Sequence, residues 1–133
     1  MTHFLPICTE DFMEIWLKTA WITLALVHTT PALAALSPAI MERLYGVAPS
    51  GELSVMLSHR GALFAAIVIG CMAAVFDPSA RRAVALMVAV SVIGFLVLYM
   101  RAGAPAGKLR TIAIVDAAAL APLALVLWSA WGS

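Results

Sequence analysis

Four long apolar runs dominate the chain, at about residues 12–36, 53–76, 82–100 and 109–131, and they leave it few ways to fold. Each holds the ~20 residues that a helix needs to cross ~30 Å of hydrocarbon. Lipid offers nothing to an unpaired backbone N–H or C=O, so the helix, which satisfies both internally, is the element expected in every run. Composition points the same way. Hydrophobic residues make up 64% of the chain and charged residues 11%, against roughly 25% charged in ordinary soluble proteins. A soluble domain of 133 residues could not hide that much apolar surface. The expectation is one all-α domain spanning residues 1–133, multi-pass in a lipid bilayer. A net charge of +1 provides no basic stripe to neutralise phosphates, which argues against a nucleic-acid partner.

The breaks between the runs are short. Ser37-Pro38 and the Gly46–Gly51 stretch form the first, Asp77-Pro78-Ser79 the second, and Gly103–Gly107 the third. Such connections make neighbouring helices antiparallel and predict an up-down-up-down four-helix bundle. Pro31 and Pro122 fall inside runs and are expected to kink them, with Thr29 and Thr30 helping to satisfy freed carbonyls. Two small-residue stripes, Ala62/Ala66/Gly70/Ala74 and Ala113/Ala117/Ala121, suggest faces of close helix approach. Trp16, Trp21, Tyr45, Tyr99, Trp128 and Trp131 read as interfacial anchors near the run ends. Cys8 and Cys71 form no CxxC; no mutual disulfide is expected, and Cys71 reads as a packing residue. The Thr30–Ala34 segment has the small residues of a signal-peptidase site. The region before it is acidic at Glu10, Asp11 and Glu14, so the run is kept as a span. Arg43, Arg60, Arg101, Lys108 and Arg110 lie towards one face, against Lys18, Arg81 and Arg82 towards the other. The first face is therefore expected to be cytoplasmic.

Against this apolar background, ionisable residues inside the runs are costly and call for partners or a use. His28 lies eight residues before Leu36, ~12 Å along a helix. His59 and Arg60 lie ~9–10 Å beyond Leu53, and Asp116 ~10 Å beyond Leu109. Topology puts those three run ends on one membrane face, so the four residues are expected to share one layer, covered from above by Tyr45 and Arg101. The layer has two readings. One is an Arg60–Asp116 ion pair that pins helix register, with His28 and His59 adding hydrogen bonds. The other is a pocket for a polar headgroup, quinone-like or acidic, or for a b-type haem held between His28 and His59. No metal-ligand spacing accompanies these residues, and a His–Asp pair lacks an evident nucleophile, so no catalytic residue is assigned. At the opposite face, Glu14 and Lys18 are spaced as an i,i+4 pair, and Asp77, Arg81 and Arg82 share their level.

Leu44-Tyr45-Gly46, His59-Arg60-Gly61, Phe76-Asp77-Pro78 with Arg81-Arg82, Leu109-Arg110 and Asp116 follow one another in an order that resembles the DoxX-like superfamily of small four-helix bacterial membrane proteins. The resemblance covers about residues 44–127. It implies a four-helix bundle in the bacterial inner membrane. Some members are associated with quinone-linked or redox partners, but the chain lacks the Cys pair that thiol redox chemistry would use. The function expected is a non-catalytic accessory or lipophilic-ligand-binding protein, working with a membrane partner or a second copy of itself. The alternative is a quinone- or haem-dependent redox subunit of a membrane complex.

Overall fold

The computed structural model describes residues 7–132, with side chains from Thr9 onward; His3 and the Cys8 side chain lie outside the described residues. Among the described residues the chain is all helical: α1 Ile7–Leu33, α2 Pro38–Tyr45, α3 Gly51–Phe76, α4 Arg81–Arg101 and α5 Lys108–Trp131, with a single 3-10 turn Pro78–Ala80 leading into α4. Helices α3 and α5, and α4 with its 3-10 turn, are each long and apolar enough to cross a membrane. α1 and α2 meet that test only as a pair, bent by 114° at the break between them. Three to four spans therefore fit the chain.

The exterior agrees with lipid as the solvent. Phe76, Val90, Ile69 and Leu26 are 78%, 75%, 70% and 66% exposed, an apolar surface that water would not tolerate on this scale. The core lies between the four long helices and contains Trp21 and Leu24 of α1, Cys71 of α3, Val88 and Val92 of α4, and Leu123 and Val126 of α5. Helix α1 packs most closely on α3, and α4 on α5; α1 also packs on α5, while α3 and α4 touch far less.

Local sequence explains the elements. Helix α2 was expected as part of a loop, because Ser37-Pro38 reads as a breaker. Proline is well placed in a first helical turn, where its missing N–H costs nothing. Here Ser37 takes the extended N-cap conformation and Pro38 starts the helix. Gly46 ends it at φ 74°, a left-handed position suited to glycine, with its N–H donating to Glu42 O at 2.8 Å. The sharp bend in the first span sits at residues 34–37, and α1 continues through Pro31 to Leu33. Thr29 Oγ1 donates to Ala25 O at 2.7 Å, so it does not serve the carbonyl of Val27, which Pro31 would leave free. α5 runs on through Pro122 to Trp131.

Three further expectations are corrected. The small-residue stripes do not form continuous packing faces: Ala62, Ala66, Ala117 and Ala121 are exposed. A repeat of four drifts about 40° per step around a helix, so the stripe rolls off its face. The close approach comes instead at Gly61, where a Cβ would lie 2.7 Å from both the N and the Cβ of Ala35. Trp21 is no interfacial anchor but is fully buried at the centre of the core. Glu14 pairs with Arg81 and not with Lys18. Arg81 Nη1 and Nη2 donate to its two carboxylate oxygens at 3.1 and 2.5 Å, and Nε donates to Ala74 O at 3.0 Å. Arg82 Nε donates to Ala130 O at 2.8 Å. These bonds tie the starts of α1 and α4 and the end of α5 together at one end of the molecule.

Candidate functional site

At the other end, where α1 gives way to α2, a cavity of about 440 Å³ lies between α1, α2, α3 and α5. His28 and Thr30 of α1 line it, with Tyr45 of α2, Arg60 and Phe64 of α3, and Thr111 and Asp116 of α5. Leu26 and Val115 also line it and are 66% and 43% exposed, so its walls continue onto the apolar exterior between α1 and α5. A second, mostly apolar groove of about 630 Å³ follows the loose α3/α4 contact and shares Arg60 and Phe64 as a wall with the first.

The structure brings together on this cavity His28, Tyr45, Arg60 and Asp116. It leaves out His59, which is exposed and lines neither the cavity nor the groove, and Arg101, which is exposed at the end of α4. Depth along the helices puts His28, His59, Arg60 and Asp116 at one level, with Tyr45 and Arg101 above, but adjacent helical residues point about 100° apart. Arg60 faces inward, and its neighbour His59 therefore does not. His28 and His59 thus do not face one another across the cavity, and the geometry expected of two axial haem ligands is not formed.

The expected Arg60–Asp116 ion pair is not formed either. Among the described residues, Arg81–Glu14 is the ion pair within 4.0 Å. The Arg60 guanidinium instead lies over three rings, 5.3 Å from the centroid of Phe64, 5.7 Å from Phe95 and 5.9 Å from Tyr45. A desolvated guanidinium gains ~2 kcal/mol from such a face. The Phe rings escaped sequence reasoning, although Phe64 sits one helical turn after Arg60, a spacing that predicts contact. Arg60 Nε and Tyr45 Oη are both buried without a hydrogen-bond partner. The terminal nitrogens of Arg60 lie near enough to the Tyr45 hydroxyl and to Asp116 to act on both electrostatically, but neither they nor the Asp116 carboxylate form an ion pair within 4.0 Å, and they are not sealed off. They are left open to the cavity.

His28 is 2% exposed and differently engaged. Its Nδ1 lies 2.8 Å from Leu24 O; a carbonyl only accepts, so Nδ1 carries the hydrogen. Nε2 of the neutral ring is then an acceptor, and Ser91 Oγ of α4 lies 3.4 Å away to donate to it. The Phe64 ring packs on the imidazole at 5.6 Å. His28 thus serves as a buried strut between α1 and α4, with both nitrogens occupied. No group of three or more His, Cys, Asp or Glu residues that could hold a metal occurs among the described residues.

Comparison with protein-family models, with curated proteins and with solved structures finds no match for this chain.

Proposed function

We propose that this chain is a four-span, up-down-up-down membrane bundle that holds one lipophilic molecule, its polar head in the α1/α2/α3/α5 cavity and its apolar part leaving between α1 and α5. The observation that carries this reading is the pair of unsatisfied charges, Arg60 and Asp116, on a cavity of about 440 Å³ whose mouth is apolar. Pockets of this kind, largely apolar with a few convergent polar groups, are the usual form of small-molecule sites. Binding, not catalysis, is the role favoured, because both nitrogens of His28 are already committed. The DoxX-like placement and the bacterial inner membrane belong to the same proposal and rest on the sequence resemblance.

The test is lipid extraction and mass spectrometry of protein purified in mild detergent, comparing the parent with Ile112→Trp, which fills the cavity from α5. The parent should retain one enriched amphiphile that the variant lacks. Identical lipid profiles from the two proteins would refute the reading.

A further inference from the structure

We infer that the head bound in this cavity is a zwitterion of the phosphoethanolamine type, with its anionic group on Arg60 and a primary ammonium on Asp116. The inference rests on the binding role proposed above and names the chemical class of the ligand.

Hydrogen-bond complementarity makes the argument. A guanidinium donates and never accepts, and it keeps its charge. An ionised carboxylate accepts and never donates. Arg60 and Asp116 line one cavity and feel each other's charge, yet they are not within 4.0 Å of each other, and neither is ion-paired to another described residue. The occupant that satisfies both must therefore present an acceptor at one end of its head and a donor at the other. Charge narrows the choice. The two side chains sum to zero, so a purely anionic head gains at Arg60 and is opposed at Asp116, and a purely cationic one does the reverse. An uncharged head leaves two charges poorly compensated where water is scarce, which is costly.

The aromatic rings decide which cation fits. A quaternary ammonium has no N–H to donate and is held by aromatic faces. The ring faces that would form such a cage, Tyr45 and Phe64, are already taken by the guanidinium of Arg60. Asp116 carries no ring contact and offers only carboxylate oxygens, so a primary ammonium with hydrogens to give is its match. The hydroxyls of Thr30 and Thr111, also on the wall, can accept or donate and do not alter the choice. The exposed apolar rim at Leu26 and Val115 gives the chain of a lipid a place to leave.

The experiment is native mass spectrometry of the full chain in detergent micelles, with single-chain probes of equal chain length carrying phosphoethanolamine, phosphocholine or phosphate heads. Free phosphoethanolamine and a short-chain quinone complete the set. The parent should prefer the ethanolamine head over the choline head by about tenfold, the value of one charge-assisted hydrogen bond. Asp116→Asn should erase that preference and raise the relative binding of the phosphate head. Its unfolding midpoint checks that it folds, and it removes no hydrogen bond to a described residue. Equal binding of ethanolamine and choline heads by the parent, tighter binding of the quinone, or an unchanged preference in Asp116→Asn would overturn the zwitterion assignment. In those cases the binding role stands as long as Ile112→Trp still blocks the probes. Failure of every probe to bind the parent, or equal binding by Ile112→Trp, would remove the binding role itself. Free phosphoethanolamine competing as well as the chained probe would overturn a lipid source.

Discussion

Gly61→Ala should destabilise this protein, although alanine is the better helix former. Gly61 is buried in α3 and faces the corner where α1 ends. The new methyl would stand 2.7 Å from Ala35 N and Ala35 Cβ and 3.0 Å from Ala35 Cα. Carbon atoms in contact prefer ~3.5–4.0 Å, so the corner must retreat by about 1 Å. Two of the three atoms are backbone and cannot rotate away. Overpacking of this kind costs ~1–3 kcal/mol. Replacing glycine by alanine within a helix returns at most ~1 kcal/mol. In detergent that return shrinks, because the unfolded state in SDS keeps much of its helix. Two other helical glycines provide the controls. A Cβ at Gly70 would meet only Val84 side-chain carbons at 3.4 and 3.5 Å, and one at Gly94 would meet nothing within 4 Å. Gly70→Ala and Gly94→Ala should therefore unfold at or slightly above the parent midpoint. The assay is SDS titration in mixed micelles, followed by near-UV circular dichroism. If Gly61→Ala unfolds with the parent, or if Gly94→Ala proves the weakest of the three, the close packing of α3 on the α1–α2 corner is wrong.

Other perturbations test the remaining supports. Glu14→Gln should lower stability by ~1–2 kcal/mol, a modest value because the Glu14 side chain is 39% exposed. Arg81→Gln should cost more in the same SDS titration, because it also releases Ala74 O. Asp116→Asn should leave the unfolding midpoint unchanged or raised, since no described partner is lost; a loss comparable to that of Arg60→Gln would mean that the two charges pair after all. Arg60→Lys should cost ~0.5–2 kcal/mol despite keeping the charge, because an ammonium cannot spread over the Phe64, Phe95 and Tyr45 rings as the planar group does. The Asp77 carboxyl, in the turn outside the spans, is held below the usual carboxylate range by Ser79, first through its hydroxyl and then through its N–H, which donates at 2.8 Å. A lowered folded pKa means that this contribution is present above about pH 4 and is lost as pH falls further. The pH dependence of the unfolding midpoint should flatten in that range in Asp77→Ala.

The spans were legible because hydrocarbon thickness fixes a length, and α3, α4 and α5 begin and end within two residues of the apolar runs. Helix α2 was missed although its signals were present: Ser37 as N-cap, Pro38 in the first turn and Gly46 just past the end. Proline breaks a helix from its interior but starts one from its first turn, where Pro38 stands. For the site, sequence gave depth but not direction. Counting residues along each helix placed His28, His59, Arg60 and Asp116 at one level, and three of the four line the cavity. Which way each residue points depends on how the helices are rotated, and that is set by packing at places such as Gly61 and Trp21. The same rotation decided that Arg60 meets rings and not Asp116.

The Glu14–Arg81 fork also bears on how the protein is made. Helix α1 carries Glu10, Asp11, Glu14 and Lys18, and it is apolar enough to span only when counted together with α2. The cation that takes up Glu14 stands 67 residues later in the chain. When α1 is made, Lys18 is the cation close to Glu14, and the guanidinium that binds both of its carboxylate oxygens arrives only with the start of α4. The ion pair that fixes this part of α1 is thus one that only the start of α4 can complete. A truncation that ends before Arg81 would leave Glu14 without this partner, however complete its own helix.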